Sequence, residues 1–142
     1  MVDPQRLVQS ALRSKNEKRL QQAAEFLEAQ LAEEPTNAVL LNNLGCLLHT
    51  LGEYDRAREC HGQALAIWGS SDHARAMSLM NLGAVFRAQG EDEPARESFE
   101  QALANFERCY PEEQYPQGHP ELAGSLESLG LVLMAQREYQ AA

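Results

Sequence analysis

The sequence predicts an all-α fold, a right-handed α-α superhelix of about three and a half helical hairpins. Three observations predict it. One stretch of the chain repeats itself without gaps further on. Apolar residues recur at helical spacing throughout. Glycines stand where helices end, and small residues stand where two helices would have to approach closely.

The repeat is the strongest of the three, because self-similarity at a fixed period signals stacked supersecondary units. Leu44-Gly45 leads through Gly52-Glu53-Tyr54-Asp55-Arg56-Ala57-Arg58-Glu59 to Gln63-Ala64-Leu65. Leu82-Gly83 leads through Gly90-Glu91-Asp92-Glu93-Pro94-Ala95-Arg96-Glu97 to Gln101-Ala102-Leu103. A third copy opens at Leu129-Gly130 and reaches Glu138-Tyr139. A weaker copy precedes them all, with Ala11 in the glycine place and Ala23, Leu27, Leu31 and Pro35 where a second helix and its terminal proline belong.

Each unit reads as two amphipathic helices. Leu40, Leu41, Leu44, Leu47 and Leu48 make one stripe, and Ala57, Cys60, His61, Ala64 and Leu65 the next. The residues Gly45, Gly83, Ala57, Ala64, Ala95 and Ala102 mark the close approaches, and Gly52 and Gly90 suit helix C-termini. Pro94 falls in a first turn, where a missing N–H costs little. A single hairpin cannot bury its own apolar face, so neighbours must stack. The spacing predicts helices near 4–15, 18–33, 38–50, 54–67, 73–88, 92–109 and 120–136, with a stub from 138. It gives one domain over 1–142, with units at about 4–37, 38–75, 76–122 and 123–142. The fourth unit then stops inside its second helix. The chain is expected to be a fragment of a longer array, with Leu126, Leu129, Leu133 and Met134 uncovered and available for homodimerisation.

These repeated residues resemble the tetratricopeptide repeat family, over nearly the whole chain. Unit starts at Pro4, Ala38, Ala76 and Ala123 give lengths of 34, 38 and 47 residues. The added segments are Trp68–Asp72 and Tyr110–Pro120. Inserts of this kind, ending in Gly118-His119-Pro120, are similar to those of the kinesin-light-chain subgroup. Asp92 replaces the usual aromatic, Arg137 replaces the inter-helix glycine, and the first unit lacks Leu-Gly and reads as an adapted cap. The resemblance implies a scaffold for protein–protein interaction that holds a peptide or partner protein in a concave groove, and not an enzyme. Two alternatives stand beside it: a self-assembling stack, or the regulatory or sensor arm of a longer signalling protein.

Composition agrees with a soluble, cytoplasmic chain. Apolar residues make up 44% of 142 positions, enough for a core. The net charge of −9 argues against nucleic acid and anionic membranes and favours basic or neutral protein partners. Three widely spaced cysteines without a CxxC fit a reducing compartment. No leader segment and no run of 18 apolar residues is visible.

The first helix of each pair is expected to line the groove. Its inward positions supply the candidate peptide-binding residues Asn42, Asn43, His49, Met77, Met80, Asn81, Arg87 and Glu127. Asn43 and Asn81 hold the same place in their units. A carboxamide donates and accepts at once, so it can bond both groups of a peptide backbone; the alternative is a hydrogen bond within the scaffold. Met77, Met80, Arg87 and His49 would then add selectivity. The basic clamp that some relatives use for acidic C-termini is missing, since its places hold Val8, Leu12, Asn43, Met77 and Asn81. No metal and no cofactor is expected. Cys46 and His49 supply two ligands where a closed zinc site needs four, and the same pair is too little for a nucleophilic site. His61 reads as a packing residue, Trp68 as a hydrophobic plug, and Glu91-Asp92-Glu93 as a helix start that suits the dipole.

Overall fold

Residues 3–141 are described by the computed structural model, with side chains through Glu138. Among them are seven helices and no strand: α1 (Pro4–Ser14), α2 (Glu17–Glu33), α3 (Ala38–Thr50), α4 (Tyr54–Trp68), α5 (Asp72–Ala88), α6 (Asp92–Cys109) and α7 (Pro120–Ala141). The chain divides into two units, Met1–Ile67 and Trp68–Ala142.

Local chemistry sets the boundaries. Asp3, Asn16 and Asn37 cap α1, α2 and α3 by accepting from the backbone N–H of Gln5, Arg19 and Leu40 at 3.0, 3.2 and 3.1 Å. Pro4 opens α1, where its missing N–H is no loss. The turns after α3 and α5 pivot on Gly52 and Gly90, at φ +82° and +77°. That left-handed backbone strains any residue with a Cβ. Glu91 precedes α6 without a side-chain cap bond; the acids there suit the dipole of the first turn, and Glu93 also pairs with Arg96 and accepts from Gln136 at 2.8 Å.

In the first unit, α1 packs on α2 and α3, and α2 on α3. Val8, Ala11, Leu20, Ala23 and Leu27 close the first hairpin, and Leu40, Leu41, Leu44, Leu47 and Leu48 the face of α3. In the second unit, α6 packs against both α5 and α7. Its core holds Ala95, Phe99 and Val132, flanked by Met80, Phe86 and Leu129.

The two complete repeats share one joint. A Cβ placed on Gly45 would lie 2.6 Å from the His61 ring, and one on Gly83 would lie 2.7 Å from the Phe99 ring. Each ring sits flat in a notch left by a missing side chain, and alanines four before and three after it let the helices close. Ala57, Ala64, Ala95 and Ala102 are all fully buried. Glycine inside a helix ordinarily costs about 1 kcal/mol against alanine. Here the close approach reverses that preference, because Phe99 is itself buried and has nowhere to move. Gly83→Leu is accordingly expected to lower unfolding free energy by about 2 kcal/mol despite its better helix propensity. Urea denaturation measures it, and an unchanged or raised midpoint would contradict the tight joint.

Two expectations are corrected at the C-terminal end. No break falls near residue 137 and no separate stub begins at 138, because α7 runs unbroken to Ala141. Gln136-Arg137-Glu138 are all good helix formers, and no glycine offers the left-handed turn that ends α3 and α5. Leu129 is not uncovered either, since it packs against the Phe99 and Val132 cluster. Leu126, Leu133 and Met134 are exposed as expected.

Candidate functional site

The first unit carries an open cleft of about 720 Å³ between α1 and α3. Arg6, Gln9, Ser10 and Arg13 reach into it from α1, and Asn43 from α3. All five can donate hydrogen bonds. The amide nitrogen of Asn43 is buried and has no acceptor in the protein. A buried donor without a partner is uncommon and costly.

The other residues expected in the groove divide by environment. Asn42 turns inward: its carboxamide oxygen accepts from Nδ1 of His61 at 2.7 Å. His49 lies edge-on to Tyr54, with ring centres 5.6 Å apart. In the second unit, Met77, Arg87 and Glu127 are exposed, while Asn81 is half-buried with interactions of its own. Met80 is half-buried on the Phe99 cluster, and its sulfur accepts from the Ser125 hydroxyl at 3.3 Å. Of the matched pair Asn43 and Asn81, Asn43 lines the cleft of the first unit and Asn81 is half-buried with interactions of its own. The neighbouring Asn42 and Met80 are taken up by the ring of their own hairpin.

Asn42 and Met80 hold matching places, as do His61 and Phe99. The second hairpin thus uses a polar pair where the third uses an apolar one. His61 is fully buried. Burial, with a smaller contribution from the charge of His49, lowers its pKa to about 4. The imidazole is neutral at pH 7, with Nδ1–H facing Asn42 and Nε2 unpartnered. Burial also pushes the Cys46 and Cys60 thiols up to about 11, so both are inert thiols at neutral pH and not thiolates.

Sequence reasoning missed a second polar cluster, around the segment between α6 and α7. Tyr110 stacks on His119 with ring centres 3.7 Å apart and planes 3° from parallel. The Tyr110 hydroxyl donates to Glu121 at 2.6 Å, and His73 reaches the same carboxylate at 3.0 Å. The bond to Glu121 raises the Tyr110 pKa to about 12. This clasp ties the starts of α5 and α7 together through the insert. Its only sequence signal was the aromatic and histidine content of that insert. Trp68, expected as a plug, is half-buried and its indole N–H donates to Ser78 at 2.9 Å.

Among the described residues no helix is long and apolar enough to cross a membrane. No three His, Cys, Asp or Glu side chains there converge on a metal position.

Comparison with known proteins agrees with this geometry. The tetratricopeptide repeat family model matches residues 36–108, just over half of the chain. Two crystal structures of nearly identical tetratricopeptide-like repeats, ascribed to a kinesin light chain of Podosopora anserina, superpose with TM-scores of 0.75 each. They share 25% and 24% identity, over 99% of this chain and 71% and 72% of theirs. The crystal structure of BtubC from P. vanneervenii has a TM-score of 0.71 and 23% identity, over 99% of this chain and 60% of its own. A search of curated proteins gave no match. Folds of this kind are typically non-catalytic scaffolds for protein partners. With its repeated hairpins, its rings seated on glycines and its kinesin-light-chain-like inserts, the chain belongs to the tetratricopeptide repeat family.

Proposed function

We propose that the chain is a non-catalytic, cytoplasmic interaction module that holds an extended segment of a partner protein against the first helices of its hairpins. The whole of 1–142 then acts as one domain, with hairpins at about 4–37, 38–75 and 76–122 and a further one from 123. The observation that carries the reading is Asn43: a buried amide donor without an acceptor, at the wall of an open cleft. With the carboxamide turned so that its nitrogen faces the cleft, a peptide carbonyl would satisfy it without any demand on peptide sequence. Asn81 offers the same chemistry in the second unit, though its other interactions make it the weaker contact.

Charge narrows the partner. The net −9 steers basic segments toward the chain, leaves neutral ones unopposed, and disfavours nucleic acid and anionic membranes. The cleft itself presents Arg6 and Arg13 beside Asp3. A neutral extended segment suits both fields.

The test is a random 12-residue peptide library displayed on phage and panned against the protein. The best enriched peptide is then titrated by calorimetry against wild type, Asn43→Ala and Asn81→Ala. Losing one such hydrogen bond is worth about 1–1.5 kcal/mol, so Asn43→Ala should weaken binding about tenfold. Asn81→Ala should weaken it less. Equal affinity for wild type and Asn43→Ala, with circular dichroism unchanged, would reject the reading.

A further inference from the structure

The turns inside the hairpins change sign along the chain. In the first hairpin, residues 13–19 carry Arg13, Lys15, Lys18 and Arg19 against the one acid Glu17, a net of +3. In the third, residues 90–97 carry Glu91, Asp92, Glu93 and Glu97 against the one base Arg96, a net of −3. The second hairpin is intermediate, with Glu53, Asp55 and Arg56 at its turn. A +3 tip is out of keeping with a chain whose net charge is −9.

Local chemistry does not account for the basic tip. Arg13, Lys15, Lys18 and Arg19 are all exposed, and none of them meets an acid among the described residues. Arginines elsewhere behave differently. Arg56 pairs with Glu28 and Glu53, Arg96 with Glu93, and Arg108 with Asp72 at 3.1 Å.

Lys15 is the sharper observation. It ends α1 in left-handed backbone, at φ 50° and ψ 23°, and is the one non-glycine with positive φ among the described residues. The matching turns after α3 and α5 use Gly52 and Gly90. Left-handed backbone is unfavourable for a residue with a Cβ and free of that penalty for glycine. Strain of this kind concentrates at functional positions. Here it comes with an exposed positive charge at the tip of the turn.

Hairpins stack face to face, so the tip of one is not covered by its neighbours. The complement of the basic tip is on the same chain. The α5–α6 turn carries the opposite charge, with Glu91, Glu93 and Glu97 exposed. Contact between unlike turns of two copies is attractive, and contact between like turns is repulsive. At physiological salt the Debye length is about 8 Å, so the overall negative charge of two copies is screened while turns in contact still attract.

We propose that the α1–α2 turn, with Lys15, Lys18 and Arg19 at its centre, is a self-association site that takes the acidic α5–α6 turn of a second copy of this chain. These three residues do not line the cleft that holds Asn43, so the site stands or falls apart from the peptide-binding reading.

Sedimentation equilibrium of the full chain tests it. Self-association should be measurable below about 1 mM protein in about 50 mM NaCl, and about 500 mM NaCl should weaken it at least fivefold. The double variant Lys18→Glu, Arg19→Glu should abolish it; both residues are exposed in the first turn of α2, where acids suit the dipole. Glu91→Lys, Glu97→Lys should abolish it too. An equimolar mixture of the two double variants should associate again, because the intact acidic turn of one meets the intact basic turn of the other. Lys15→Gly relieves the left-handed backbone, so it should weaken association about threefold without lowering the urea midpoint. Circular dichroism checks that every variant remains helical. A chain that stays monomeric in low salt would overturn the proposal, as would association indifferent to salt or surviving in either double variant. A mixture that remains monomeric would overturn it as well. So would binding of a labelled oligothymidylate of about 12 nucleotides in about 150 mM NaCl that Lys18→Glu, Arg19→Glu abolishes, since the basic turn would then belong to nucleic acid.

Discussion

Phe99→Ala is expected to be the most damaging single substitution in the second unit, lowering its unfolding free energy by about 4 kcal/mol. The ring is 1% exposed, sits on Gly83, and shares a cluster with Ala95 and Val132. Removing it strips contacts from α5, α6 and α7 together. Little can move in to fill the space, because the notch beneath it has no side chain. The cavity term therefore adds in full to the lost transfer energy. Chemical denaturation followed at 222 nm measures the loss. A cost under about 1 kcal/mol would mean that the helices around Phe99 collapse freely, and that the ring is not what joins them.

Stability of the first unit should fall by about 3 kcal/mol between pH 7 and pH 4 on account of His61 alone. The group has an ordinary pKa of 6.5 and a folded one of about 4, lowered first by burial and then by His49. Between those values the unfolded chain holds a proton that the folded chain does not. Its stabilisation is thus complete above pH 6.5, shrinks as pH falls, and is gone below about 4. Protonation would place a second N–H at Nε2, where no acceptor stands. Carboxylates titrate over part of the same range, so the comparison needs a control. The double substitution Asn42→Met, His61→Phe installs the pair that the third hairpin already uses. Its stability should lose about 3 kcal/mol less than wild type over that span. Equal slopes in the two proteins would show that the imidazole is not held neutral by its surroundings.

The double substitution also shows what the sequence did and did not disclose. Helix positions were legible because the gapless repeat, the apolar spacing and the glycine turns all point to the same boundaries. Gly45 and Gly83 were legible as close approaches, since each follows a leucine at the same place in its repeat and glycine is unfavourable inside a helix unless a side chain would collide. The inward turn of Asn42 was not, because an isolated asparagine on a first helix looks like any groove residue. The aligned columns held the signal. Position 42 is polar where 61 is polar, and 80 is apolar where 99 is apolar, as expected of residues in contact. The place of Met80 beside the Phe99 cluster was hidden for a related reason, since it emerges only when α7 is packed. The clasp of Tyr110, His119, Glu121 and His73 was out of reach, because it is made between a loop and two helices, α5 and α7, with no periodicity to expose it. The unbroken course of α7 was half legible. Arg137 stands where the other units have glycine, and the helix continues through that residue.

In the free protein, Gly83 and Gly45 should have Hα resonances shifted well upfield by the rings above them. An assigned proton–carbon NMR spectrum reads both at once. Upfield shifts at Gly45 and Gly83 are the pattern of two filled notches. Ordinary shifts at Gly83 would contradict it.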